Sequence, residues 1–197
     1  LEGGNWPETQ RLVYNGLTDY NAKSELVPGL ARSWTVSEES DTFTFQLTPG
    51  VLFHDGKEVT SEEVRFTHEM VVDPKAGSPM SSFVTNLKAI ETPDKYTVVF
   101  RFNGANHLML PGLSALGILP KHLWAGAAAD PRKSPLMTAP VGTGPFKLKE
   151  WQRSDHLTFE ANRNYFRKGR PYVDQVIFKV VPDAATGIPA FRNGVLG

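Results

Sequence analysis

Five histidines, His54, His68, His107, His122 and His156, are the side chains of this chain best suited to proton transfer or metal ligation near neutral pH. No two of them stand at the short spacing by which a helix or hairpin aims two imidazoles at one ion. Surface or supporting roles are expected for all five, and no metal site. His54-Asp55 followed by Ser61 supplies the residue types of a nucleophilic triad, but no G-x-S-x-G elbow presents a serine, and Asp55-Gly56 reads as a turn. Glu62 and Glu63 could share acid–base work, yet they stand where a helix N-terminus wants carboxylates. Gly142-Thr143-Gly144 lacks the third glycine and the Lys-Ser/Thr of a phosphate loop, so a tight turn is the expectation. The absence of cysteine excludes disulfides, thiolate zinc sites and a cysteine nucleophile. These residue types and spacings predict no enzyme centre and no cofactor.

The elements that would position such side chains are mostly strands. The chain has 197 residues, with 21 Lys+Arg balanced by 21 Asp+Glu, so charge points to neither nucleic acid nor an anionic membrane. Seventeen glycines and fifteen prolines make turns frequent. Thr42–Leu47 alternates apolar and polar residues, the pattern of a strand with one buried face. Pro49-Gly50 turns the chain and Val51-Leu52-Phe53 resumes the strand. Thr60-Ser61-Glu62-Glu63 is a capping box opening a helix, with Val64, Phe66, Thr67, Met70 and Val71 as its apolar face and Asp73-Pro74 as its stop. Thr97–Phe102 reads as a strand after a Pro93-Asp94 turn. Phe146–Trp151 and Leu157–Ala161 read as an antiparallel hairpin, and Val173–Val181 as the last strand. Ala184–Asn193 could be a helix, weakened by Gly187 and Pro189. The stretch from Phe102 to Pro120 carries too many polar residues and glycines for a membrane span. The fold class is α+β. Leu1 is not an initiator methionine, so the start is expected to be a processed or cut end.

Eight short segments, in order, resemble family 5 extracellular solute-binding proteins, the peptide- and nickel-binding subunits of ABC importers. They include Tyr14-Asn15-Gly16-Leu17, Val27-Pro28-Gly29-Leu30-Ala31-Arg32-Ser33-Trp34, the hairpin through Gly50-Val51-Leu52-Phe53-His54-Asp55-Gly56, and Ile118-Leu119-Pro120-Lys121-His122. Pro140-Val141-Gly142-Thr143-Gly144-Pro145-Phe146 is the most specific of them, and Asn162-Arg163-Asn164-Tyr165-Phe166 and Val180-Val181-Pro182-Asp183 follow. The resemblance implies a type II periplasmic-binding-protein-like lobe with the second lobe absent, since family members are two to three times longer. Residues 1–20 and 138–197 would form a mixed β-sheet, ligand-binding domain, and residues 21–137 a smaller, strand-rich intermediate domain. It also implies a protein that captures peptides in an interlobe cleft and delivers them to membrane permease subunits, is monomeric and takes no nucleic acid. Its location would be periplasmic or extracellular, with a lipid anchor as one mode of attachment.

On the same scaffold nickel chelates, oligosaccharides and opines are alternatives, as is a ligand-sensing domain of a transcriptional regulator. The resemblance places Phe83 and Met80, in Pro79-Met80-Ser81-Ser82-Phe83, toward the ligand. Leu116 and Gly117 lie in the stretch where nickel binders carry an arginine that this sequence lacks, which disfavours an anionic metal chelate. Tyr14 and Trp151 are further candidate liners, with ordinary core packing as the competing role for each. A lone lobe supplies half a cleft, so weak ligand binding is expected of it.

Overall fold

A computed structural model describes residues 6–127, 134–181 and 191–193. Its centre is the strand that alternation predicted. Thr42–Leu47 (β4) buries Phe43, Phe45 and Leu47 at 2%, 0% and 1% exposure and turns the residues between them outward. It pairs antiparallel on one side with β3 (Ala31–Val36) and on the other with β6 (Thr97–Phe102), which in turn pairs with β5 (Leu87–Asp94). Edge-to-face ring pairs cross the β4–β6 ladder: Phe45 on Phe100 at 5.8 Å and Phe43 on Phe102 at 5.7 Å.

The helix α2 (Ser61–Val72) packs against β5 and β6. It starts as the capping box requires, with the Glu62 amide donating to Thr60 Oγ1 and the Thr60 amide donating to the Glu63 carboxylate at 2.9 Å. Its buried face is Ser61, Val64, Thr67, His68 and Val71; Phe66 and Met70, expected in that face, are only half-buried. His68 is a correction to the expectation of surface or supporting histidines, because it is fully buried beneath the ring of Phe100. The strand expected to resume at Val51 is a single bridge between Leu52 and Glu58. Val51 and Phe53 are nonetheless buried in the core, and Gly56 takes a φ of +88° in the turn between.

A second, three-stranded sheet is formed by β7 (Phe146–Gln152), β8 (His156–Ala161) and β9 (Gln175–Lys179), all antiparallel. Phe146, Leu157 and Phe159 form its buried core together with Val13 from α1 (Trp6–Val13). The larger core runs from Leu17 to Ile118, so the chain passes between the two cores at residues 14–17 and again at residues 141–146. A short arm, β1 (Thr18–Tyr20) with β2 (Leu26–Pro28), projects beside the first crossing. The helices α3 (Met109–Ala115) and α4 (Lys121–Trp124) fill the segment between β6 and the second crossing. Of the helix expected over Ala184–Asn193, only 191–193 lies within the described residues, and Phe191 and Arg192 are helical there.

The Gly142-Thr143-Gly144 turn is the joint between the cores. The Gly144 amide donates to Val13 O at 2.7 Å, the Asn15 amide donates to Thr143 Oγ1 at 3.2 Å, and the His54 amide donates to Gly142 O at 2.8 Å. The His54 ring enters the same turn. The Gly142 amide donates to Nδ1 at 3.3 Å, so Nε2 carries the proton and donates to Gly144 O at 3.1 Å. Asn162, 2% exposed, donates through Nδ2 to the other lone pair of Gly144 O. The motif most specific in sequence is a bend at residues 143–145 rather than the hydrogen-bonded tight turn expected, and every one of these bonds reaches a residue distant along the chain.

Candidate functional site

The surface around α3 gathers most of the residues singled out from sequence. Asn106 fixes its approach: Nδ2 donates to Phe83 O at 3.0 Å, and Oδ1 accepts from the Leu108 amide just ahead of the helix. Met109, Gly112 and Leu113 face inward. Gly112 lies against the ring of Phe83 so closely that a Cβ would stand 2.5 Å from the ring, a contact that only glycine permits. After the helix, Gly117 meets Tyr14 in the same way, its absent Cβ 2.5 Å from that of the tyrosine. The Ile118 amide then donates to Asn15 O at 3.1 Å and pins this exit to the end of α1.

Five of the six candidates thus sit on or against α3. Phe83 is on its face, Gly117 and Tyr14 touch at its exit, and Leu116 and Met80 pack on the larger core. All five are half-buried, which leaves each some surface for a ligand. Trp151 stands apart on β7, packed on the second core with the Arg153 guanidinium 5.5 Å over its ring.

Sequence reasoning missed a cavity of about 400 Å3 on the other side of Tyr14, lined also by Arg11, Asn15, Tyr165, Arg167, Arg170 and Tyr172. The available signal was the density of cations in Arg163–Arg170, which went unused. Arg167 reaches Asp19 at 2.8 Å and Pro28 O at 2.8 Å, tying the loop before β9 to the β1–β2 arm. Asn15 Nδ2 donates to the Tyr165 hydroxyl at 3.3 Å. Burial pushes both the Tyr14 and Tyr165 phenols above their ordinary range, so both keep their protons at neutral pH.

The residues of the would-be triad do not converge. Asp55 pairs with His122 Nε2 at 2.6 Å, Ser61 donates to Asp94 O at 2.7 Å, and the His54 ring is spent on the glycine turn. Among the described residues no three metal-ligating side chains come together. This geometry offers half-buried aromatic and aliphatic shelves and a donor-lined cavity, both suited to holding a molecule.

Comparison with known proteins gives a consistent picture. The family described as bacterial extracellular solute-binding proteins, family 5, matches residues 25–196. The oligopeptide-binding protein AppA of Bacillus subtilis is 32% identical over 190 residues, covering 95% of this chain and 35% of that protein. The structure of AppA with a nonapeptide superposes with a TM-score of 0.88, covering 96% of this chain and 38% of that one. NikZ from Campylobacter jejuni, in complex with Ni(L-His), superposes at 0.89 with 28% identity, covering 94% of this chain and 37% of its own. The chain therefore spans between a third and two fifths of the length of these relatives. A family match over most of the chain, a fold shared at this level and sequence motifs kept in order have one reading: the chain belongs to family 5 of the bacterial extracellular solute-binding proteins.

Proposed function

We propose that the protein carrying this chain is the substrate-binding component of an ABC importer, a binding protein rather than an enzyme, which captures peptides and hands them to membrane permease subunits. The observation that carries this reading is the 32% identity to an oligopeptide-binding protein over 95% of the chain. The half-buried Phe83, Met80, Leu116, Gly117 and Tyr14 around α3 supply one wall of the peptide site, and Trp151 a more distant contact. Residues 1–20 and 138–197 serve as the sheet domain and 21–137 as the intermediate domain, in keeping with the two separate cores. Closure of a second lobe over this wall would then shift the open–closed equilibrium by as much as the ligand favours the closed form. The protein works as a monomer outside the cytoplasmic membrane, either free or lipid-anchored, and binds no nucleic acid.

Native mass spectrometry of the whole protein, purified without unfolding, tests this. A bound mass that fragments as a peptide is expected, and Phe83→Ala should weaken that peptide about tenfold, as loss of a buried aromatic anchor does. A second reading, a nickel chelate, is favoured by the TM-score of 0.89 to NikZ. A nickel-containing mass in the same spectrum would establish it and overturn the peptide reading.

A further inference from the structure

Among the described residues, the charged groups of the cavity beside Tyr14 that remain unpaired are all donors. The cavity's carboxylate is already engaged: Asp19 Oδ2 accepts from Arg167, and Oδ1 accepts from the Tyr20 amide at 2.9 Å. Thr18 Oγ1 donates to Leu110 O, and Ser114 Oγ donates to Pro111 O. Asn15 gives its amide hydrogen to Tyr165 and takes one from Thr143. Left over are the guanidiniums of Arg11 and Arg170 and the hydroxyl protons of Tyr14 and Tyr165, none of which has an acceptor among the described residues. Arg170 lies 4.8 Å over the ring of Tyr172, a stacking that orients the planar fork without using its N–H groups. The Tyr172 ring is itself 80% exposed, and Phe146, Val173 and Val176 complete an apolar wall. A wall of this kind gives nothing to a bare inorganic anion, whereas it covers the body of an organic one.

We propose that this cavity binds a small organic carboxylate, with its head held by Arg11, Arg170 and the Tyr165 hydroxyl and its apolar body against Tyr172 and Val173. Of the residues proposed for peptides the site includes only Tyr14, and it touches α3 itself through Ser114. Guanidinium forks match carboxylates in a bidentate way, and a volume of about 400 Å3 accommodates a ligand of modest size.

Phenylacetate is a suitable probe, titrated calorimetrically into the whole protein at low salt, with benzyl alcohol and inorganic phosphate as controls. One equivalent of phenylacetate should bind, and benzyl alcohol and phosphate should each bind about tenfold more weakly or not at all. Arg11→Gln and Arg170→Gln should each weaken phenylacetate about tenfold, because each removes a charge-assisted bond. Both arginines are exposed and hold no ion pair among the described residues, so the variants keep the fold, which circular dichroism verifies. Phe83→Ala should leave phenylacetate affinity within about twofold while weakening peptide, which separates this site from the peptide reading. The proposal is overturned if phenylacetate gives no heat, if either arginine variant binds it unchanged, if phosphate binds equally well, or if Phe83→Ala abolishes phenylacetate binding.

Discussion

His68 shows what a single side chain can do to stability. Its Nδ1 donates to Val64 O at 2.8 Å, its Nε2 has no partner among the described residues, and its ring lies 4.6 Å from that of Phe100. Burial holds its pKa down to about 4, against an ordinary value of 6.5. Because the folded value is the lower one, the unfolded chain takes up the proton first. Stability that is complete above about pH 6.5 is therefore lost as the pH falls toward 4, by about 2 to 3 kcal/mol at pH 4.5. Urea denaturation at pH 7 and pH 4.5 should show that loss, and His68→Leu should remove most of it. An equal pH dependence in the variant would reject the assignment. The sequence placed His68 on a helix but not inside the core, because a histidine carries no apolar signature and its neighbours Phe66 and Met70 drew the face one step round. The α3 residues were legible only through family resemblance. Nothing in their own spacing shows that Gly112 makes room for Phe83, a contact that exists only after chain segments about thirty residues apart have met. A bulky replacement tests that contact: Gly112→Val must push the Phe83 ring aside, and should weaken peptide about as much as Phe83→Ala does.

Local elements were read well wherever one face is buried and the chemistry is near in sequence. β4 follows from alternation and the α2 cap from a four-residue motif, whereas β6, buried at five of its six residues, and the β7–β8 hairpin follow from β-branched and aromatic runs bounded by turn residues. The two edge strands of the larger sheet were not. β3 exposes four of its six residues, and β5 slips register at Leu87/Ala89 and again at Glu91/Asp94, so neither shows a clean period of two. The α2 cap is open to direct measurement. Thr60→Ala removes the side-chain acceptor and one arm of the box, and should cost about 1 kcal/mol, seen as a lower urea midpoint with an unchanged slope. A changed slope would mean that the helix end organises more than itself.

At the scale of the molecule, the two cores communicate through the glycine turn and the ring of His54. Burial lowers the pKa of His54, with the Lys147 charge adding to it, and its tautomer is fixed by one bond accepted and one donated. His54→Ala should raise the exchange rate of β7–β8 amides about tenfold, the loss of roughly one net hydrogen bond, while β4–β6 amides keep theirs. Acidification should imitate the variant only once the pH has fallen below the ordinary histidine range, because burial keeps the folded ring neutral there and only a protonated ring loses the acceptor for the Gly142 amide. Hydrogen exchange read by mass spectrometry checks both, and uniform protection in the variant would mean that the cores are joined elsewhere. The crossing of the chain between these cores also sets a timetable. Asn15 waits for Thr143, 128 residues downstream, and for Tyr165, 150 residues downstream. At ribosomal speed that interval is on the order of ten seconds, during which the larger core can close while Val13 and Leu12 stay uncovered. α1 emerges well before the segments that house it, and its apolar face is what a chaperone at the tunnel exit would find.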